Sequence, residues 1–154
     1  MPGSREFPER PIVGVGGVII QNGRTLLIRR GSEPLRGQWS IPGGLLELGE
    51  TLQEGTVREL REETGLQARV VDLIEVFERI ERVEDPATGV RTRYHYVIVD
   101  YLCECVAGEA TAGSDVTDVA FAAEEELAQY HLTETATRVI RKAFAMERAR
   151  RAKS

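Results

Sequence analysis

The sequence predicts an α/β fold of the α+β kind, a sheet covered by helices, and three observations carry that reading. Apolar, β-branched runs (IVGVGGVII, ARVVDLIEVF, YHYVIVDYLCEC) lie before and after a single helical stretch whose two ends are both marked. A second, longer helical pattern closes the chain. At 154 residues the chain has the length of one domain able to bury a core.

The elements follow in order. Residues 1–10 mix Pro, Gly and charge and read as a flexible lead-in, residues 11–147 as the single domain, and residues 148–154 as a basic C-terminal tail. Ile12 to Ile20 is a buried strand whose glycines, Gly14, Gly16 and Gly17, point to close packing. Asn22-Gly23 is a hairpin turn, and Thr25 to Arg30 returns as the second strand. A loop runs to Gln38, and Trp39 leads through Pro42-Gly43-Gly44 into the helical stretch. Beyond the helix, Ala68 to Phe77 is a strand, and Glu78 to Arg93 is a charged segment around the turn Asp85-Pro86-Ala87-Thr88-Gly89. Tyr94 to Cys105 is the clearest strand of the chain. Gly108 to Asp118 is an acidic loop, Val119 to Ala122 a short strand and Ala123 to Gln129 a short helix. The last helix runs from about Thr133 to Arg150, with Ala136, Val139, Ile140, Ala143 and Phe144 on its buried face.

Composition excludes several classes. Twenty-five acidic against twenty basic side chains give a formal charge of −5, unlike the basic surface of a general nucleic-acid binder. No apolar run spans a bilayer and the N-terminus lacks a signal-peptide core, so no membrane partner is expected and the cytoplasm is the default. Cys103 and Cys105 sit at i and i+2 of a strand, poorly placed for a disulfide, which agrees with a reducing compartment.

The stretch Gly44 to Leu66 carries the chemistry. Thr51 and Glu54 form a capping-box pair, and Gly65 can take the left-handed position beyond the last turn, which bounds a helix from about Leu52 to Thr64. Leu52, Thr56 and Leu60 make a row that can pack on a core. Glu59, Glu62 and Glu63 stand at i, i+3 and i+4, so three like charges share one face. Arg58 and Arg61 relieve part of the repulsion, and a bound cation would relieve more. Hard oxygen donors in this number suit Mg²⁺ or Mn²⁺, with phosphate oxygens completing the shell. The alternative is a solvated acidic helix.

Nine positions decide between the two. Gly44, Glu50, Arg58, Glu59, Leu60, Glu62, Glu63, Gly65 and Leu66 fill every specified position of G-x5-E-x7-R-E-U-x-E-E-x-G-U, and the stretch resembles the box of the Nudix hydrolases. Average residue usage gives such a match by chance about once in 10⁷ chains of this length. The resemblance implies a Nudix-type α/β/α sandwich with a mixed β-sheet from about Val13 to Phe144. It also implies metal held by Glu59, Glu63 and Glu62 with a backbone carbonyl of the Gly43–Gly44 turn. In such enzymes a carboxylate of the loop before the last strand binds metal or takes a proton, a role that Asp115 and Asp118 can fill here, with Glu109 third. The catalytic candidates are therefore Glu62, Glu59, Arg58, Asp115 and Asp118, the arginine orienting the glutamates. Arg29, Arg30, Arg91 and Arg93 are candidates for substrate phosphate, although each singly reads as well as a surface arginine.

Family likeness implies water attack on the diphosphate of a small nucleoside diphosphate derivative, with ADP-ribose ahead of nucleoside triphosphates. The proline that often marks ADP-ribose enzymes is absent, since Glu81 and Arg82 occupy those positions. A non-catalytic nucleotide sensor of the same fold is the rival from another class, but sensors usually have broken boxes. A homodimer is in keeping with the family.

Overall fold

The computed structural model of the chain describes residues 5–33 and 35–153. The first strand, β1 (Ile12–Gln21), is its organising element. Asn22 and Gly23, at φ 54° and 74°, turn it into β2 (Arg24–Arg30). The strands β3 (Trp39–Ser40) and β4 (Gly43–Leu45) bring the chain to helix α1 (Leu52–Thr64). A long hairpin of β5 (Gln67–Asp85) and β6 (Gly89–Ala107) follows. The strand β7 (Val116–Ala123), a 3₁₀ turn (Glu124–Tyr130) and helix α2 (Glu134–Ala152) end the chain.

The sheet is mixed, with main-path order β3-β2-β1-β6-β5, while β4 pairs with β1 and β7 with β2. Pairing of β1 with β6 is parallel, from Ile12 opposite Tyr96 to Ile19 opposite Cys103. The other pairings are antiparallel. Alternation along β1 and β6 divides the core between two faces. Ile19, Val99, Tyr101 and Cys103 pack with Leu60 and Leu66 on the α1 side. Val18, Ile20 and Leu102 pack with Val139, Ile140, Ala143 and Phe144 on the α2 side. Two helices on opposite faces of one mixed sheet make the α/β/α sandwich that the sequence led us to expect.

The helix α1 begins and ends at the expected residues. The Thr51 hydroxyl accepts from the Glu54 N–H while the Glu54 carboxylate accepts from the Thr51 N–H, and Gly65 closes the helix at φ 74°. Thr56 and Leu60 are fully buried, with Leu52 at their edge. Gly17 lets the helix approach, because a Cβ there would lie 2.7 Å from Leu60 Cδ1.

Three expectations need correction. The strands expected over Ala68–Phe77 and Tyr94–Cys105 are longer and take in the charged segment Glu78 to Arg93: β5 and β6 are 19 residues each, paired from Gln67–Ala107 out to the turn at Asp85–Gly89. The lead-in is partly anchored, since the Phe7 N–H donates to the Arg93 carbonyl at 2.7 Å, while residues 1–4 lie outside the described ones. The basic tail is not a separate segment through residue 152, where α2 continues. Arg150 and Arg151 pair with Glu147 at 3.0 and 3.1 Å, and Arg148 with Glu124 at 3.1 Å. Ser154 lies outside the described residues.

Candidate active site

Arg58 is the hub of the acidic face. Only 13 % of its side chain is exposed, and its fork donates to both oxygens of Glu50 at 2.5 and 3.0 Å. It donates further to Glu59 at 2.8 Å, to Glu62 at 3.1 Å and to the Leu45 carbonyl at 3.0 Å. Helical spacing makes this possible, since Glu62 is one turn from Arg58 while Glu50 reaches back from the loop before the helix. Bidentate pairing with the guanidinium, helped by the Glu47 N–H, holds Glu50 below the ordinary carboxylate range. The same pairing raises Arg58, so its charge is permanent.

Glu59 and Glu63 face inward. The Glu59 carboxyl lies against Gly44, where a Cβ would come within 2.5 Å of it, which is why that position is glycine. Burial raises its pKa against the pull of Arg58. Glu63 accepts from the Gly43 N–H at 2.8 Å, and burial pushes its carboxyl up to about 8. Register explains the contact: Gly43 lies opposite Gly16, between the residue pairs that hydrogen-bond to β1, so its N–H turns away from β1. Glu62 is the most open of the three, at 42 %.

The structure separates the other candidates. Asp115 acts electrostatically on Glu63, as does Arg30 with the opposite sign. Asp115 is held at φ 53° and its carbonyl accepts from the Gly31 N–H at 2.7 Å, which ties the acidic loop to the end of β2. Gly113 and Thr111 donate to the last carbonyls of α1, Glu63 and Thr64, at 2.9 Å each, fixing that loop on the helix terminus. Asp118 instead lies 3.8 Å from Arg29, and Arg29 also donates to the Gly37 carbonyl. Arg91 and Arg93 belong to the hairpin arm. Arg91 stacks on Phe7 at 3.9 Å, and Arg93 pairs with Glu6 at 2.8 Å and Glu81 at 3.5 Å.

Sequence reasoning missed Asp100. It sits on β6 between Gly16 and Glu75, 4 % exposed, and no hydrogen bond reaches its side chain among the described residues. A Cβ on Gly16 would collide with its Oδ1. A lone aspartate in an apolar strand was the available signal. Burial, then the Glu75 charge, pushes its carboxyl up to about 7. A carboxyl raised on folding contributes stability that is intact below its unfolded value and is lost as pH rises through the folded one. In chelator, stability to urea is therefore expected to fall as pH rises from about 4 to about 7, Asp100 contributing up to roughly 4 kcal/mol of the loss. Asp100→Asn is expected to flatten that slope, and parallel slopes for the two proteins would contradict the assignment.

The donors present fit a hard dication. They are all oxygens, and Glu63 carries a carboxyl whose ionisation burial opposes and a nearby dication would restore. Among the described residues no three acidic, histidine or cysteine side chains enclose an ion as they stand. Arg58 holds Glu59 and Glu62, so a cation competes with the guanidinium for both.

Comparison with known proteins agrees with this architecture. A family model described as NUDIX domain matches residues 10–144. The chain belongs to the Nudix family. An ADP-ribose pyrophosphatase of Methanocaldococcus jannaschii is 37% identical over 111 residues, 72% of this chain and 61% of that protein. This chain thus spans under two thirds of that relative's length. A nucleoside triphosphatase NudI of Enterobacter sp. (strain 638) is 30% identical over 125 residues, 79% of this chain and 88% of that one. Among solved structures, a MutT NUDIX hydrolase from Burkholderia pseudomallei superposes with TM-score 0.70 at 30% identity, covering 87% of this chain and 98% of that one. Among the described residues no helix is long and apolar enough to cross a membrane.

Proposed function

We propose that the protein is a divalent-metal-dependent pyrophosphohydrolase that cleaves the diphosphate of a nucleoside diphosphate derivative. ADP-ribose, giving AMP and ribose 5-phosphate, is the substrate we place first. The observation that carries the reading is the carboxylate face of α1, where Arg58 holds Glu59 and Glu62 and the Gly43 N–H holds Glu63. Glu59, Glu63 and Glu62 would hold Mg²⁺ or Mn²⁺, with a carbonyl of that turn. When bound, the ion supplies charge neutralisation on the diphosphate and acidifies the attacking water.

The remaining roles fall to this chain's own groups. Arg58 fixes the glutamates in place through its fork. Arg30, whose charge acts on the Glu63 carboxyl, is the arginine we place at a substrate phosphate. For the proton of the attacking water we place Glu62, the exposed box carboxylate, first, and Asp115, whose charge acts on Glu63, ahead of Asp118, which lies against Arg29.

Support for ADP-ribose is the name of the Methanocaldococcus jannaschii relative. The NudI relative favours a second reading, a nucleoside triphosphate pyrophosphohydrolase. Initial rates over ADP-ribose, the common nucleoside triphosphates and their deoxy forms, with chromatography of the products, decide between them. The first reading expects AMP and ribose 5-phosphate with ADP-ribose preferred at least about tenfold in kcat/KM. A preference for any triphosphate, with pyrophosphate released, replaces it by the second.

A further inference from the structure

The hairpin arm ends in an edge that the site does not use. The strand β5 closes one side of the sheet, and among the described residues no strand pairs with its outer edge. From Glu75 to Asp85 that edge is continuous, because the register shift in this region leaves the extra residue, Arg93, on β6. Val76 is 53% exposed on it. A long unpaired edge is a template for another strand.

We propose that this edge is a homodimer interface, in which two copies pair β5 antiparallel about a two-fold axis through Ile80. The sequence Phe77-Glu78-Arg79-Ile80-Glu81-Arg82-Val83 is self-complementary in that register. Glu78 falls opposite Arg82 of the second copy, Arg79 opposite Glu81, Ile80 opposite itself and Phe77 opposite Val83. By two-fold symmetry each unlike pair occurs twice, giving four cross-strand ion pairs and an apolar centre. A slip of one residue either way sets Glu78 opposite Glu81 or Arg79 opposite Arg82, so the charges select one register. Charges on an edge strand ordinarily discourage pairing. Here their order does the reverse, because the strand is complementary to its own reversed copy.

Within the chain these charges are largely unspent. Among the described residues Glu78, Arg79 and Arg82 make no ion pair, and Glu81 has one contact, 3.5 Å to Arg93. Elsewhere on the same strand Arg69 and Glu75 are paired, with Glu104 and Arg138. The occupant these observations fit is a second copy of this chain.

Sedimentation velocity across micromolar concentrations tests the proposal on the intact chain. The wild type is expected to be a dimer that weakens in high salt. Arg82→Glu and Glu78→Arg should each raise the dimer dissociation constant about tenfold or more, since each converts two unlike pairs into like ones. An equimolar mixture of the two variants should form a heterodimer, and the double reversal in one chain should restore the homodimer. Far-UV circular dichroism and turnover per chain should be unchanged, because neither residue lies in the site. A wild type that stays monomeric, a dimer indifferent to both reversals, or reversals that dissociate without rescue in the mixture would overturn the interface.

Discussion

Glu63→Gln is expected to lower kcat about a thousandfold, roughly 4 kcal/mol of lost transition-state stabilisation, with the fold intact. The carbonyl oxygen of glutamine can still accept from the Gly43 N–H, so the contact between the turn and α1 survives. What disappears is an inward-facing negative charge that burial already disfavours and that only a cation makes worth keeping. The same substitution should therefore hold or raise the melting temperature in chelator above pH 8, while activity collapses in saturating Mg²⁺. A variant within a few-fold of the wild-type rate would remove Glu63 from the metal-binding set. Glu62→Gln is expected to lose activity similarly with no change in stability, because Glu62 is the open carboxylate of the three.

Arg58→Ala has the second large effect, and on both readouts. The side chain satisfies Glu50 twice, Glu59, Glu62 and the Leu45 carbonyl. Its removal leaves Glu50 and Glu59, each about 15% exposed, as unpaired carboxylates. Breaking such pairs by removing one partner is expected to destabilise by roughly 3–5 kcal/mol, or about 10 °C in Tm for a chain of this size. Arg58→Lys keeps the charge without the fork and should fall between the two. Adding Glu50→Gln to Arg58→Ala should recover part of the stability but not the activity, since the glutamates remain unoriented. Urea unfolding with an unchanged m-value checks the first point, and a loss under 1 kcal/mol would show that solvent, not Arg58, compensates these acids.

The helix and its site were legible because their signals are local. Thr51, Glu54 and Gly65 announce the ends of α1 within the sequence itself, and Arg58, Glu59, Glu62 and Glu63 lie within two turns of one another. Asn22-Gly23 specifies its hairpin in the same way. The length of β5 and β6 was hidden, because the hairpin outruns β1 from Ile80 onward and Glu78 to Arg82 carries charges on both faces, which removes the alternation that marks a half-buried strand. Parallel pairing of β1 with β6 joins residues far apart in the chain and leaves no local trace. The sequence offers Arg29 and Arg30 as equal candidates for a phosphate, and only the fold brings the Arg30 charge to act on Glu63. Asp100 was missed for a related reason: its meaning lies in Gly16, on a strand more than eighty residues away.

The measurement that tests the central claim most directly is phosphate release from ADP-ribose, coupled through a phosphatase, titrated with Mg²⁺ from a chelated baseline in wild type and Glu63→Gln. The account predicts no turnover in chelator, saturable activation of the wild type by Mg²⁺, and a variant that stays near baseline at every concentration. Turnover that persists in chelator, or a variant that follows the wild-type curve, would contradict a hydrolysis built on the carboxylates of α1.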